Sequence, residues 1–277
     1  TTEIYTLSLH DALPIFGRPK FLIRYLKRVV HQDEINEIFA RNSDVEGVDF
    51  MRRVIEKEFN ITLRTKGTEH IPDSGRFVFA SNHPLGGLDG ICLSAFLGEK
   101  YEGKIKYLVN DVLYYIDPLK PIFVPINKYG AQAKTSAQAI RDAFASDNQI
   151  ITFPAGLCSR KQKGKIRDLT WMKNFIIKAI ESERDIIPVH FSGRNSIFFY
   201  NFANVRKAIG MKFNIELIYL PDEMFKNRGK TFTITFGAPI SRHLFDKSKS
   251  PMEWAAYVKD MVCQRSEERR VGKECRS

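Results

Sequence analysis

"SNHPLGGLDG" (residues 81–90) places His83 and Asp89 six positions apart, with Pro84, Gly86 and Gly87 between them. The run before it, "RFVFA" (76–80), is short, apolar and β-prone, which is the character of a buried strand. The run after it, "DGICLSAFLG" (89–98), spaces its apolar residues as a helix does. The ten residues therefore read as a strand-to-helix turn, the repeating joint of a layered α/β protein. Two readings of the pair stand side by side. Asp89 caps the helix and His83 is a satisfied polar residue at a strand end, or the two face each other to do chemistry.

Further along, strands and helices alternate. Strands are expected at "RFVFA", "KIKYLVN" (104–110), "PIFVPI" (121–126), "QIITFPA" (149–155), "DIIPVHFS" (185–192), "FNIELIYL" (213–220) and "TFTITFG" (231–237). Helices are expected over 88–96, 136–145, 169–182 and 197–209. This order predicts an α/β fold with a mostly parallel central sheet flanked by helices, its later strands open to antiparallel pairing. Near the end, Ser250, Pro251 and Glu253 form a capping box that starts a last helix.

Residues 16–60 read as a small helical segment broken near Asn42 and Ser43. Its first part, "PKFLIRYLKRVVHQ" (19–32), sets Phe21, Leu22, Tyr25 and Leu26 beside Lys20, Arg24, Lys27 and Arg28, the pattern of a helix lying in a membrane interface. A helix whose apolar face packs on its own domain would carry the same pattern.

The two ends do not match the sequence between them. "TTEIYTLSLHDALPI" (1–15) and "RSEERRVGKECRS" (265–277) resemble translated sequencing-adapter read-through and are set aside, with native residues expected to be missing at either end. That leaves one α/β domain over 61–264 behind the helical segment. Of the 43 basic and 32 acidic residues, five of each fall in the excluded ends, so the net charge stays +11. A balance this positive favours an anionic partner: nucleic acid, an anionic membrane surface, or a phosphorylated or CoA-like substrate. With Cys275 in the excluded end, Cys92, Cys158 and Cys263 show no metal-ligand spacing, and an odd count without a signal peptide fits a reducing compartment. No apolar run approaches the roughly 20 residues that a spanning helix needs.

Four blocks at strand ends carry chemistry: "SNHPLGGLDG", "FVPINK" (123–128), "FPAGLCSR" (153–160) and "IIPVHF" (186–191). In open α/β sheets, ligands bind where strands deliver their carboxyl-end loops. In this order the blocks resemble the glycerolipid acyltransferase family that includes lysophosphatidate (PlsC-like) acyltransferases. The likeness covers about residues 61–195. Here His83 and Asp89 are separated by five residues where that family has four, Lys128 replaces an arginine, and Ala155 replaces a glutamate. The "FPAG" block followed by "DLTWMKNF" (168–175) resembles the branch with ornithine- and glycine-lipid O-acyltransferases and hemolysin-like proteins.

The resemblance implies an O-acyltransferase that moves a fatty acyl group from an acyl carrier protein or CoA thioester to the hydroxyl of a lyso-lipid, either lysophosphatidate or a monoacyl amino-acid lipid. It implies peripheral attachment to a membrane surface, the cytoplasmic face of a bacterial inner membrane, with no cofactor or metal and no nucleic-acid partner. His83 would be the general base and Asp89 its support, with no covalent acyl-enzyme; no G-x-S-x-G elbow is present. Gly86 and Gly87 would let the loop absorb the extra position and bring backbone amides to the oxyanion. Asn127, Lys128, Gly156 and Arg160 would hold the acceptor's polar head, although basic runs such as "RKQKGK" (160–165) are more often solvated surface. Trp171 and Lys173 could face the thioester, but a packed aromatic is the commoner role. The alternatives are a thioesterase or lipid hydrolase using the same His and Asp on water, and a non-catalytic binder of anionic lipid.

Overall fold

The computed structural model describes residues 20–110, 116–126 and 132–274. Asn127, Lys128 and the terminal stretch 1–15 lie outside the described residues.

The fold is α/β. Its main sheet has seven strands among the described residues: β1 (Thr62–Lys66), β2 (Phe77–Ser81), β3 (Ile105–Asn110), β4 (Phe123–Ile126), β5 (Gln149–Thr152), β8 (Asp185–Phe191) and β9 (Thr231–Phe236). They lie in the order β1-β9-β8-β2-β5-β3-β4, and every neighbouring pair is parallel except β8 with β9. A short antiparallel hairpin, β6 (Arg160–Gln162) with β7 (Lys165–Arg167), stands apart from it.

Central strand β2 is buried along its whole length, as its unbroken apolar run demands. Phe79 with Ile151 and Ile187 enters the core on one face of the sheet, and Val78 with Ile150 and Ile186 enters the other. Helices cover both faces: α4 (Leu88–Lys100), α5 (Gln132–Ala145), α6 (Asn174–Glu181), α7 (Ile197–Ala208), α8 (Leu220–Phe225) and α9 (Pro251–Glu274). The capping box at the start of α9 is formed, with Ser250 N–H donating to Glu253 Oε2 at 2.7 Å and Glu253 N–H to Ser250 Oγ at 3.3 Å.

The N-terminal helices are α1 (Lys20–Val29), α2 (Gln32–Arg41) and α3 (Gly47–Arg53), the last running into one π turn (Val54–Glu58). Ile38, Phe39, Phe50 and Met51 share the core of the sheet, so α2 and α3 pack on the domain. Helix α1 buries no residue. The chain turns between α1 and α2 at His31, which is left-handed at φ 54°, stacks on Phe225 at 4.2 Å and bonds Asp222 at 3.1 Å.

Two expectations change, and three strands stand where none was expected. "FNIELIYL" is not a strand but a 3-10 turn (Ile215–Tyr219) that leads into α8. Period-two alternation suggested a strand, yet Glu216 is fully buried while Ile215 and Ile218 face solvent, because the Glu216 carboxylate is drawn inward by two arginines. The helix expected from 169 begins only at Asn174, since Met172 N–H is held by Pro154 O at 2.9 Å. Strand β1 and the β6–β7 hairpin, both rich in basic residues, had too little apolar alternation to be read.

Candidate active site

Because β2, β5 and β8 run parallel side by side, their following loops leave the same edge of the sheet and are bonded to one another. Ser159 N–H donates to His83 O at 2.7 Å, joining the loops after β5 and β2. The Asn82 side chain clamps β8, donating to Phe191 O at 3.0 Å and accepting from Phe191 N–H at 2.7 Å.

In this cradle His83 and Asp89 meet, with Nδ1 3.0 Å from Asp89 Oδ2. Asp89 opens α4 and is fully buried, and its carboxylate also accepts the N–H groups of Leu85 (2.9 Å), Gly87 (3.1 Å) and Gly90 (3.0 Å). Asp89 thus satisfies amides at the helix start and at the same time meets the His83 ring. Burial favours the neutral acid, but the His83 charge and hydrogen bond, with the amides of Leu85 and Gly90, hold the Asp89 carboxyl below its ordinary range. For His83, burial works to lower the pKa; the Asp89 charge and hydrogen bond, with Asp168 behind them, outweigh it and hold the ring above its usual value. With Nδ1–H directed at Asp89, Nε2 carries the lone pair that can take a proton.

Three further residues build the site and were not singled out from the sequence. Phe153, the first residue of the "FPAG" block, lies against the His83 ring at 4.3 Å between centroids, and Tyr107 backs Phe153 at 5.4 Å. Asp168 accepts His83 N–H at 3.2 Å on each oxygen, Ser159 Oγ–H at 2.5 Å and Trp171 Nε1–H at 2.9 Å. The only sign of it in the sequence is a lone acid that closes a basic run and stands three residues before a tryptophan. Trp171 is accordingly a packed, hydrogen-bonded aromatic, 1% exposed and edge-on to Phe175.

The two glycines differ. Gly86 is left-handed at φ 82°, and a Cβ there would stand 3.0 Å from both Cys158 Cβ and a Leu220 methyl. Gly87 has no left-handed φ, a Cβ would meet nothing within 4 Å, and its N–H is spent on Asp89. The conformational argument therefore applies to Gly86 and not to Gly87, whose amide supports the carboxylate.

Arg160 is buried, with Nη2 donating to Glu216 Oε1 at 2.9 Å, Nη1 to Cys158 O at 2.8 Å, and its plane over Phe199 at 5.4 Å. Arg206 Nε lies 2.8 Å from the second Glu216 oxygen, so one carboxylate serves two guanidiniums. The solvated-surface reading thus fails at Arg160, although Lys163 and Lys165 beyond it are exposed. Gly156 makes the left-handed corner of the "FPAG" turn at φ 69° and is exposed.

Two lyso-glycine lipid O-acyltransferases resemble the chain. That of Bacteroides thetaiotaomicron is 57% identical over 244 residues, covering 88% of this chain and 89% of its own. That of Phocaeicola vulgatus is 51% identical over 244 residues, covering 88% and 87%. Among solved structures, the 1-acyl-sn-glycerophosphate acyltransferase PlsC of Thermotoga maritima aligns over 92% of this chain and 84% of its own, with a TM-score of 0.49 and 15% identity. Residues 9–264 match the Acyltransferase family model, and the chain belongs to that acyltransferase family.

Proposed function

We propose that the protein esterifies the free hydroxyl of lyso-glycine lipid, taking the acyl group from an acyl carrier protein or CoA thioester. The observation that carries the reading is the His83 Nδ1 to Asp89 Oδ2 bond of 3.0 Å, which leaves Nε2 as the base. His83 Nε2 takes the hydroxyl proton while the oxygen bonds to the thioester carbonyl carbon. The tetrahedral intermediate then expels the thiolate, which recovers the proton from the imidazolium, and ester and thiol are the products. Asp89 stabilises the imidazolium in between.

The acceptor assignment is supported by the two relatives that bear that name. It is also supported by charge, since Arg160 and Arg206 share the one carboxylate of Glu216 and leave a surplus positive charge for an anionic head such as a glycine carboxylate. Peripheral work on the cytoplasmic face of a bacterial inner membrane suits such a substrate.

The test is thiol release from an acyl thioester, with lyso-glycine lipid or lysophosphatidate as acceptor and His83→Ala as the blank. Release that requires lyso-glycine lipid supports the reading. Release that requires lysophosphatidate moves the enzyme to phospholipid synthesis, and acceptor-independent release at full rate makes it a hydrolase.

A further inference from the structure

Large apolar side chains stand exposed together in one part of the molecule. On α7 and the turn behind it, Ile197 is 71% exposed, Ile209 67% and Phe213 84%, and on α1 Phe21 is 73% exposed. The two elements adjoin, because Tyr25 of α1 and Tyr219 share a hydroxyl hydrogen bond of 2.6 Å, and the Tyr219 ring packs edge-on against Phe198 and Phe202 of α7. Exposed apolar side chains gathered on adjoining elements mark an interaction site.

Its charges are of one sign. Residues 197–214 contain Arg206, Lys207 and Lys212 and no acid, and α1 contains Lys20, Arg24, Lys27 and Arg28 and no acid. The carboxylates beside this segment each have a cation next to them: Glu216 has Arg160 and Arg206, while Asp222 and Glu223, the latter accepting Ser196 N–H at 2.6 Å, share Lys226. Apolar side chains accompanied by an excess of cations complement a bilayer with an anionic surface, where the former enter the acyl region and the latter meet the head groups. Among the described residues no helix is long and apolar enough to cross a membrane, so contact of this kind would be interfacial.

The inner side of the same segment rests on the catalytic loops. Phe199 and Tyr200 pack with Cys158, joined by Leu217, Tyr219 and Leu220, and Leu220 reaches Gly86 of the His83 loop. We infer that α7 and the 209–218 turn, with α1 beside them, form the face by which the enzyme docks on an anionic bilayer and draws its lipid acceptor toward His83. This adds to the N-terminal helix a second docking element, inserted between the "IIPVHF" block and β9, and it rests on the reading of the protein as a lipid acyltransferase.

The experiment is sedimentation of the full chain with vesicles of phosphatidylglycerol and phosphatidylcholine, or of phosphatidylcholine alone, read without substrate. The triple variant Ile197→Glu/Ile209→Glu/Phe213→Glu should lose at least about tenfold in binding to the anionic vesicles while keeping its thiol release on a detergent-dispersed acceptor. Lys207→Glu/Lys212→Glu should weaken binding mainly at low salt, and Met252→Glu, on α9, should leave it unchanged. Unchanged binding by the triple variant overturns the inference, as does wild-type protein that ignores both vesicles. A wild-type dimer that the triple variant converts to monomer also overturns it, because the face would then be covered by a second copy. Vesicle binding does not depend on which lyso-lipid is acylated, so failure of the acceptor assignment would be seen separately.

Discussion

His83 and Asp168 are joined through the main chain of one and the side chain of the other: both carboxylate oxygens of Asp168 accept the His83 N–H at 3.2 Å. The imidazole is thus gripped twice, by Asp89 at its ring and by Asp168 at its backbone. Asp168 ties that grip to Ser159 and Trp171, and its own carbonyl accepts Lys259 Nζ–H of α9 at 3.1 Å.

Asp168→Asn keeps the shape but turns an N–H toward donors that need an acceptor. It is expected to cost about 1.5–3 kcal/mol of stability, the range for hydrogen bonds to charged groups. It should also lower kcat more than it raises KM, because the loop that positions His83 loosens. Denaturant unfolding and a kcat against KM comparison read the two effects; an unchanged kcat in a destabilised protein would make Asp168 structural only.

The pH dependence follows from the dyad. His83 must be neutral to accept a proton, and its pKa is held above the ordinary imidazole value, so the acid limb of kcat/KM should lie above about 6.5. Asp89→Asn removes the charge that raises it, and should lower kcat while moving that limb to lower pH. For stability the signs are opposite. The raised His83 pKa contributes fully below the unfolded value of about 6.5 and is lost as pH rises through the folded one. The depressed Asp89 pKa contributes above about 3.9 and is lost as pH falls through its folded value.

Gly86→Ala and Gly87→Ala should separate. At Gly86 the left-handed backbone and the approach of Cys158 and Leu220 oppose a side chain, and a loss of about 1–3 kcal/mol with a fall in activity is expected. At Gly87 the added methyl meets open space, and a smaller loss is expected. Thermal unfolding of the pair checks the order; equal losses would contradict it.

Glu216 should be more sensitive than its arginines. Glu216→Gln leaves two guanidiniums facing each other in a buried setting, and about 3–5 kcal/mol of destabilisation is expected, as for breaking a buried ion pair from one side. Arg160→Met with Glu216→Met should cost less than the two single changes added together, and a double-mutant cycle on unfolding free energies measures the difference.

The layered fold could be read from the chain because its strands are buried on both faces and so appear as continuous apolar runs, and because glycine and proline mark the turns between them. The His83–Asp89 pair was legible for a similar reason: the two residues belong to one local turn, and a six-residue span can close without help from elsewhere. Asp168, Phe153 and Glu216 were not legible, since the partners that fix their roles, His83 for the first two and Arg160 for Glu216, lie far away in the sequence and nothing in local periodicity encodes them. Glu216 even misled, making "FNIELIYL" look like an alternating strand when its buried pairing with Arg160 and Arg206 forces a tight turn. The sequence by itself thus determined the order of the layers and the dyad, which rest on short-range pattern and backbone chemistry. Only the tertiary structure decided which carboxylates are buried, how the loops after β2, β5 and β8 brace one another, and which apolar side chains remain uncovered, because these depend on distant segments competing for the same interior space.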